Sequence, residues 1–440
     1  MIYIDLTELA LWAQRSDLIS GIQRVVYNLA RDLEEDPDVG FVVLADGKGS
    51  WIRLRSLNLD NSGNIKHFNL LNENWRISRI KWSHTRNRIR EARGSHKIKP
   101  LVRFVESRLV RPFLNKSEWN LKGIKASLMK EKDFQEGDVL VEPAIPFCND
   151  FIGRIEPLQE KVKLVFFYHD LIPLTCREFV LGEECANFQK YFDLMLHRAD
   201  LLITSAKFNV DVFRKQAALE HQDDVVPPIE AIGLPVEFSA SVTNENYFEI
   251  SPIIRRLSAY KFCLCVGTIG PRKNHFELLQ AWKKFYDSDA YNNEILVVAG
   301  APWGSASDIV NLLHNKAFCG GSIVYFDRPS DLELAFLYQE CRFSLYLSLF
   351  EGWGLPVSES IAVGKPVVIL NSTTLPEAGY GAADVVATRT LADMQKMIER
   401  MFGDNEYYEA SLRRVLEAKQ KLPTWSDFSK RLIKVIRKHV

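Results

Sequence analysis

The sequence predicts an α/β protein built from two doubly wound domains, and three observations carry that reading. Short apolar runs alternate with helix-length amphipathic segments along most of the chain. At 440 residues the chain is too long for one ordinary core. Pro227, Pro228 and Pro235 mark a linker over about residues 225–255, with one β/α series before it and another after it.

In the first series, Ile2 to Leu6 reads as a buried strand. Ile22, Val25, Val26, Leu29 and Leu33 then recur at helical spacing, with Ser20 as the expected N-cap and Gly21 beside it. Phe41 to Ala45 is a second short apolar run. Asp138 to Glu142, Lys163 to Tyr168 and Leu201 to Thr204 read as parallel strands, and a helix is expected from Ala206. The second series has strands at Phe262 to Gly267, Glu294 to Ala299, Ser322 to Phe326, Phe343 to Leu347 and Pro366 to Leu370. Helices fit between them, as at Phe276 to Tyr286 and Asp331 to Glu340, and an amphipathic helix covers Ser426 to His439. The expected domains are residues 1–240 and 255–422, with residues 423–440 returning to the first.

Composition is that of an ordinary folded protein, 47% hydrophobic and 25% charged. Lys plus Arg and Asp plus Glu both number 56, so global charge gives no hint of a nucleic-acid partner, and none is expected. No apolar run approaches the ~18 residues that span a bilayer. Asp5 and Glu8 interrupt the first apolar stretch, which excludes a signal peptide and leads us to expect a cytoplasmic protein. The seven cysteines match no zinc spacing and read as reduced thiols.

Residues 75–116 stand apart. From Arg76 to Arg111 there are twelve cations against two carboxylates, interleaved with Trp, Ile, Leu and Phe. Such a basic amphipathic insertion suits peripheral contact with a membrane surface, and hence a membrane-associated acceptor.

Two motifs carry chemistry. The first is Phe350-Glu351-Gly352-Trp353-Gly354-Leu355-Pro356-Val357-Ser358-Glu359-Ser360, a strand running through a glycine turn into a helix. Its glycines let the backbone approach a ligand, the helix start offers N–H groups to an anion, and a carboxylate at each end suits vicinal hydroxyls such as those of a ribose. The second is Val266-Gly267-Thr268-Ile269-Gly270-Pro271-Arg272-Lys273-Asn274-His275. Two adjacent cations after a glycine turn make a diphosphate clamp. Both motifs fall at carboxyl ends of strands, where ligands bind in such sheets. His169, in Tyr168-His169-Asp170, also ends a strand, at the expected interdomain cleft. Two Asp-x-Asp triplets, Asp36-Pro37-Asp38 and Asp287-Ser288-Asp289, read as turns, and no metal site is expected.

Over residues 260–380 the chain resembles family 4 of the retaining glycosyltransferases, which have the GT-B fold, two Rossmann-like domains facing across a cleft. The resemblance rests on the glycine turn followed by Arg272-Lys273, the E-x7-E pair Glu351 and Glu359, Gly364-Lys365-Pro366-Val367-Val368, and Pro376-Glu377. It implies a donor site formed by Gly267, Thr268, Arg272, Lys273, Gly352, Trp353, Gly354, Leu355 and Glu359. In it Arg272 and Lys273 hold the diphosphate, Glu359 binds the ribose and Glu351 lies near the transferred sugar. It gives His169 a place near that sugar. It puts the loop Ser16 to Arg24 near the phosphates, although here Gly21 stands without the family's glycine pair.

The expected activity is transfer of a hexose with retention and without a metal. The donor is a nucleotide-diphosphate sugar, GDP-mannose in the first instance, and no cofactor is required. The acceptor is a glycan or a polyprenyl-diphosphate-linked saccharide, as in O-antigen or capsule assembly. Two other readings share the fold: a sugar-nucleotide 2-epimerase, which would lack an acceptor site, and an inactive glycan-binding scaffold, against which both glutamates and both cations stand intact.

Overall fold

Strands such as Asp138–Glu142 and Phe262–Val266 are buried along most of their length. They carry no polar alternation because helices cover both faces of their sheets. The computed structural model describes residues 1–13, 21–44, 50–57, 59, 65, 119–121, 124–130, 133–144, 151–155, 158, 161–180, 182–221, 223–236, 242–303 and 306–440. The basic insertion, residues 75–116, and Ser20 lie outside the described residues.

The N-terminal sheet contains β1 (Ile2–Asp5), β2 (Val39–Leu44), β3 (Ser50–Ser56), β4 (Trp119–Leu121), β5 (Ile124–Lys130), β6 (Asp138–Glu142), β7 (Val162–Tyr168), β8 (Leu201–Thr204) and β9 (Ile229–Ala231). Their order is β4-β5-β3-β2-β1-β6-β7-β8-β9. Pairing is parallel from β2 to β9, whereas β3, β5 and β4 extend the sheet antiparallel. That antiparallel flank is absent from the sequence expectation: its central pairing, β3 with β5, joins segments far apart in the chain, and Arg53, Lys125 and Lys130 break the apolar pattern.

The C-terminal sheet contains β10 (Phe262–Val266), β11 (Ile295–Ala299), β12 (Ile323–Phe326), β13 (Phe343–Tyr346), β14 (Val367–Leu370) and β15 (Asp384–Val386). All neighbours are parallel in the order β12-β11-β10-β13-β14-β15, so the chain reverses direction across the sheet between β10 and β13. A crevice opens at such a reversal, outside the carboxyl ends of the two strands. In the N-terminal sheet the same reversal falls between β1 and β6.

The helix Trp425–His439 starts with a capping box made by Thr424 and Asp427. Its buried face is Trp425, Phe428, Leu432, Ile433 and Ile436, a helical stripe. That stripe lies on the N-terminal domain: Phe428 meets Phe167 at 5.9 Å edge to face, and Arg437 pairs with Asp38 at 2.6 Å. One apolar cluster therefore runs from Ile4, Val26 and Phe167 to Val357, Ile369 and Phe428, joining the domains. Cys176, Cys263, Cys265, Cys319 and Cys341 are buried free thiols. Asp36 accepts from the backbone N–H of Asp38, and Asp287 closes a helix and pairs with Lys283, so both Asp-x-Asp triplets sit at turns. Among the described residues no helix is long and apolar enough to cross a membrane.

Candidate active site

The two motifs occupy the adjacent strand ends where the C-terminal sheet reverses. From β10 the chain passes Gly267 (φ 149°) and exposed Thr268 into a single tight turn, Pro271–Lys273. Asn274 then adopts the left-handed conformation (φ 61°) and starts the helix His275–Tyr286. The buried His275 ring lies 3.3 Å from the Gly270 carbonyl oxygen, and burial lowers its pKa to about 4, so a neutral imidazole fastens the turn. The turn aims Arg272 and Lys273 at the loop that follows β13.

That loop holds Glu351. Its carboxylate lies 3.1 Å from Arg272 Nη1 and 2.6 Å from Lys273 Nζ. Arg272 also donates to the Phe350 carbonyl at 2.6 Å, and Lys273 donates to the Tyr346 hydroxyl at 2.5 Å. Tyr346 in turn donates to Glu351 at 3.1 Å. Burial alone would raise the Glu351 pKa, but Lys273 and Arg272 outweigh it and hold the carboxyl below its ordinary value. Asp170 of the N-terminal domain also acts on both cations, so Arg272 and Lys273 share this corner with two carboxylates, of which Glu351 makes the direct ion pairs. Asn274 Nδ2 beside them is buried and has no hydrogen-bond partner.

Gly354, at φ 107°, turns the loop into the helix Leu355–Val363, a conformation that favours glycine. Thr374 fastens the loop by donating to the carbonyls of Glu351 and Trp353 at 3.1 and 2.8 Å. The Trp353 indole is buried and donates to Ser358 Oγ at 3.1 Å, so this aromatic is committed to the core. One turn into the helix, Glu359 accepts from Tyr338 at 3.1 Å and pairs with Arg24 of the N-terminal domain at 3.2 Å. Burial raises its pKa, with Arg24 opposing. Gly21 (φ 51°) is exposed, and the helix Ile22–Leu33 begins immediately after it. Among the described residues of that region, Arg24 is the cation that reaches the glutamate motif.

The N-terminal domain grips the same loop at Gly352. Its carbonyl accepts from Ser205 Oγ at 2.9 Å and Asn209 Nδ2 at 2.8 Å. A Cβ on Gly352 would lie 2.7 Å from the His169 carbonyl oxygen, so only glycine permits this approach. His169 is half-buried at the end of β7, and its Nε2 donates to the Pro143 carbonyl at 3.0 Å. Burial lowers its pKa to about 4, so the ring is neutral and Nδ1 is left as an acceptor. Beyond the loop, Glu377 accepts from the N–H groups of Lys207 and Phe208 at 2.8 and 2.9 Å, which caps the helix Lys207–Glu220 across the domain boundary.

Sequence reasoning did not single out Tyr346, Tyr338, Ser205, Asn209 or Arg24 as site residues. Tyr346 and Tyr338 sit in apolar runs and read as core. Ser205, Asn209 and Arg24 act across the domain boundary, which no local pattern reports. Arg24 offers one signal, a cation in the first turn of a helix, where it opposes the helix dipole.

Two parallel-sheet domains meeting at a cation-and-carboxylate crevice define the GT-B class of glycosyltransferase folds. HepE from Anabaena in complex with UDP and glucose superposes with a TM-score of 0.60 at 13% identity over 99% of each chain. Trehalose-6-phosphate synthase OtsA does so at 0.63 and 11% identity over 100% of this chain and 99% of its own. At such identities the likeness is one of fold.

Residues 248–409 match the family model for glycosyl transferases group 1. O-antigen chain mannosyltransferase B of Escherichia coli is 26% identical over 267 residues, 59% of this chain and 66% of that protein. The serotype-specific mannosyltransferase WbdA of Escherichia coli is 24% identical over 247 residues, 56% of this chain and 30% of its own. The match therefore spans less than two thirds of the length of either relative.

Proposed function

We propose that the protein transfers a hexosyl residue, mannose in the first instance, from a nucleotide-diphosphate sugar to a glycan or lipid-linked saccharide. The observation that carries this is the meeting of Arg272, Lys273 and Glu351 at the β10/β13 crevice, one helical turn from Glu359. A donor diphosphate would pair with Arg272 and Lys273. As the glycosidic bond breaks, negative charge gathers on the leaving phosphate, and preorganised cations stabilise it without reorganisation. The N–H groups at the start of the helix Leu355–Val363 would add to that field.

Glu359 would accept the ribose hydroxyls. His169, neutral and with Nδ1 free to accept, would hold a hydroxyl of the donor sugar. Glu351 is held by both cations, so it is suited to orienting them and the sugar rather than to covalent attack. A front-face transfer, in which the leaving phosphate takes the acceptor proton, is our reading and would retain the anomeric configuration. The reading needs no metal at this crevice. The names of the Escherichia coli relatives support mannose, whereas the HepE structure contains UDP, so the base is decided by experiment. Residues 76–111 would bring the protein to a membrane-bound acceptor.

The test incubates the protein with GDP-mannose, UDP-glucose, UDP-N-acetylglucosamine or ADP-glucose and measures nucleotide release with and without a lipid-linked acceptor. Release from one donor, reduced at least about a hundredfold in Lys273→Ala, is the expected result. Release from none would contradict the reading.

A further inference from the structure

A second cluster of chemistry-bearing side chains lies away from the crevice. His197 stands in the last turn of the helix Gly182–Arg198, and His221 closes the helix Lys207–Glu220. These helices lead into β8 and β9, so the cluster sits at the edge of the N-terminal sheet opposite the strands' carboxyl ends.

The hydrogen bonds fix how each ring is used. His197 Nδ1 lies 2.7 Å from the Asp193 carbonyl oxygen, which can only accept, so Nδ1 carries a proton. His221 Nε2 lies 3.3 Å from the Asp193 carboxylate and donates to it in the same way. Both remaining nitrogens then point at one oxygen. His197 Nε2 is 2.9 Å from Asp224 Oδ2, and His221 Nδ1 is 3.3 Å from the same atom. In neutral rings these are lone pairs facing a carboxylate, and either a proton on a ring nitrogen or a metal cation between the three groups satisfies them. One ligand atom from each of His197, His221 and Asp224 falls within a 4.8 Å group. Ligands about 2.1 Å from a tetrahedral zinc ion stand roughly 3.4 Å apart, close to these separations.

Asp193 completes the pattern. Metal-binding histidines hold their second N–H on a carbonyl or carboxylate, which sets the tautomer and the ring orientation. Asp193 does this for both rings, one through its backbone and one through its side chain. Two helix carboxyl ends, with their partial negative charge, converge on the same place.

We propose that His197, His221 and Asp224 form a site for one divalent transition-metal ion with borderline nitrogen and oxygen preference, of the zinc class, with Asp193 as its positioning residue. The ion would bridge the two helix ends and leave a coordination position to water. It is separate from the crevice, where the transfer reading invokes no metal, and it does not depend on that reading.

The test is a titration of the full-length, untagged protein with Co2+, followed by visible absorption, and with Zn2+, followed by calorimetry. The expected result is one equivalent bound, with the d–d bands of a nitrogen/oxygen site. Loss of those bands is expected in His197→Gln/His221→Gln, and about tenfold to hundredfold weaker binding in Asp193→Asn. These side chains are solvent-accessible, and circular dichroism confirms that each variant is folded. Absence of a one-equivalent site in the parent, or a Co2+ spectrum unchanged in the double variant, overturns the proposal. Either result would mean that protons, not a metal, join these histidines to Asp224.

Discussion

Arg24 of the N-terminal domain stands 3.2 Å from Glu359 of the C-terminal domain, so the second glutamate of the E-x7-E motif is held across the domain boundary. Glu359 is largely enclosed and its pKa is raised by desolvation, with Arg24 as the opposing charge. Ribose hydroxyls donate to a carboxylate, so nucleotide binding requires the ionised form. Arg24→Gln removes the opposing charge, and the pKa rises further. Binding is then lost at a higher pH as the solution is acidified. Each tenfold gain in the carboxylate's proton affinity is worth about 1.4 kcal/mol and weakens nucleotide binding about tenfold below the new pKa. Nucleotide affinity measured from pH 5 to pH 8 checks this, and identical profiles for the parent and the variant would refute it.

Glu377 caps an N-terminal-domain helix from the other domain. Replacing it with Ala leaves two N–H groups without their acceptor and removes a negative charge from a helix N-terminus. The expected cost is about 0.5–2 kcal/mol, read from urea unfolding, together with a raised KM for the donor. Gln keeps an acceptor and is expected to restore part of the stability.

Gly352→Ala would push the domains apart. The added carbon meets the His169 carbonyl at 2.7 Å and the Asp170 carboxylate at 2.8 Å, both from the opposite domain. Activity is expected to fall at least about tenfold, because a misplacement near 1 Å can cost that much or more. Small-angle scattering should report a more open particle, while far-ultraviolet circular dichroism stays unchanged. An unchanged particle with full activity would show that the contact does not set the closure.

Asp5 and Glu142, at the ends of the adjacent strands β1 and β6, are both buried. Thr7 donates to one oxygen of Asp5 and the Ala144 N–H to one of Glu142, and their side chains meet each other. Glu8 acts on Glu142 from a neighbouring helix, and the pair in turn raises the pKa of the buried Tyr191 hydroxyl, after burial itself. Burial raises the pKa of Asp5 to about 6, and burial and then Asp5 push Glu142 up further. The folded state therefore binds protons that the unfolded chain releases at lower pH. The associated stability is present in acid and is lost as pH rises through these raised values. Tm should decline from pH 6 to pH 9, and Glu142→Gln should flatten the decline. A steeper decline in the variant would count against the pair.

Much of the core was legible in sequence because parallel strands under helices appear as uninterrupted apolar runs. Asp138–Glu142, Leu201–Thr204 and the helix Asp331–Glu340 fall where the pattern puts them. The flank β3, β4 and β5 was not legible, since β3 pairs with β5 far along the chain and Arg53, Lys125 and Lys130 interrupt the apolar pattern. In the crevice, Arg272, Lys273, Glu351 and Glu359 announced themselves as charges beside glycine turns. Tyr346, by contrast, is indistinguishable from a core tyrosine until its hydroxyl is seen between Lys273 and Glu351. Arg24, Ser205, Asn209 and Glu377 acquire their roles only when two domains meet, and no local sequence pattern encodes that meeting.

The most direct test of the donor crevice is calorimetric binding of GDP, UDP, ADP and dTDP to the parent, Lys273→Ala and Glu359→Ala. One nucleotide is expected to bind selectively. Each variant should weaken it by about tenfold or more, since a hydrogen bond to a charged group is worth roughly 1.5–3 kcal/mol. Equal affinity in all three proteins, or no binding of any nucleotide by the parent, would contradict the assignment of this crevice as the donor site.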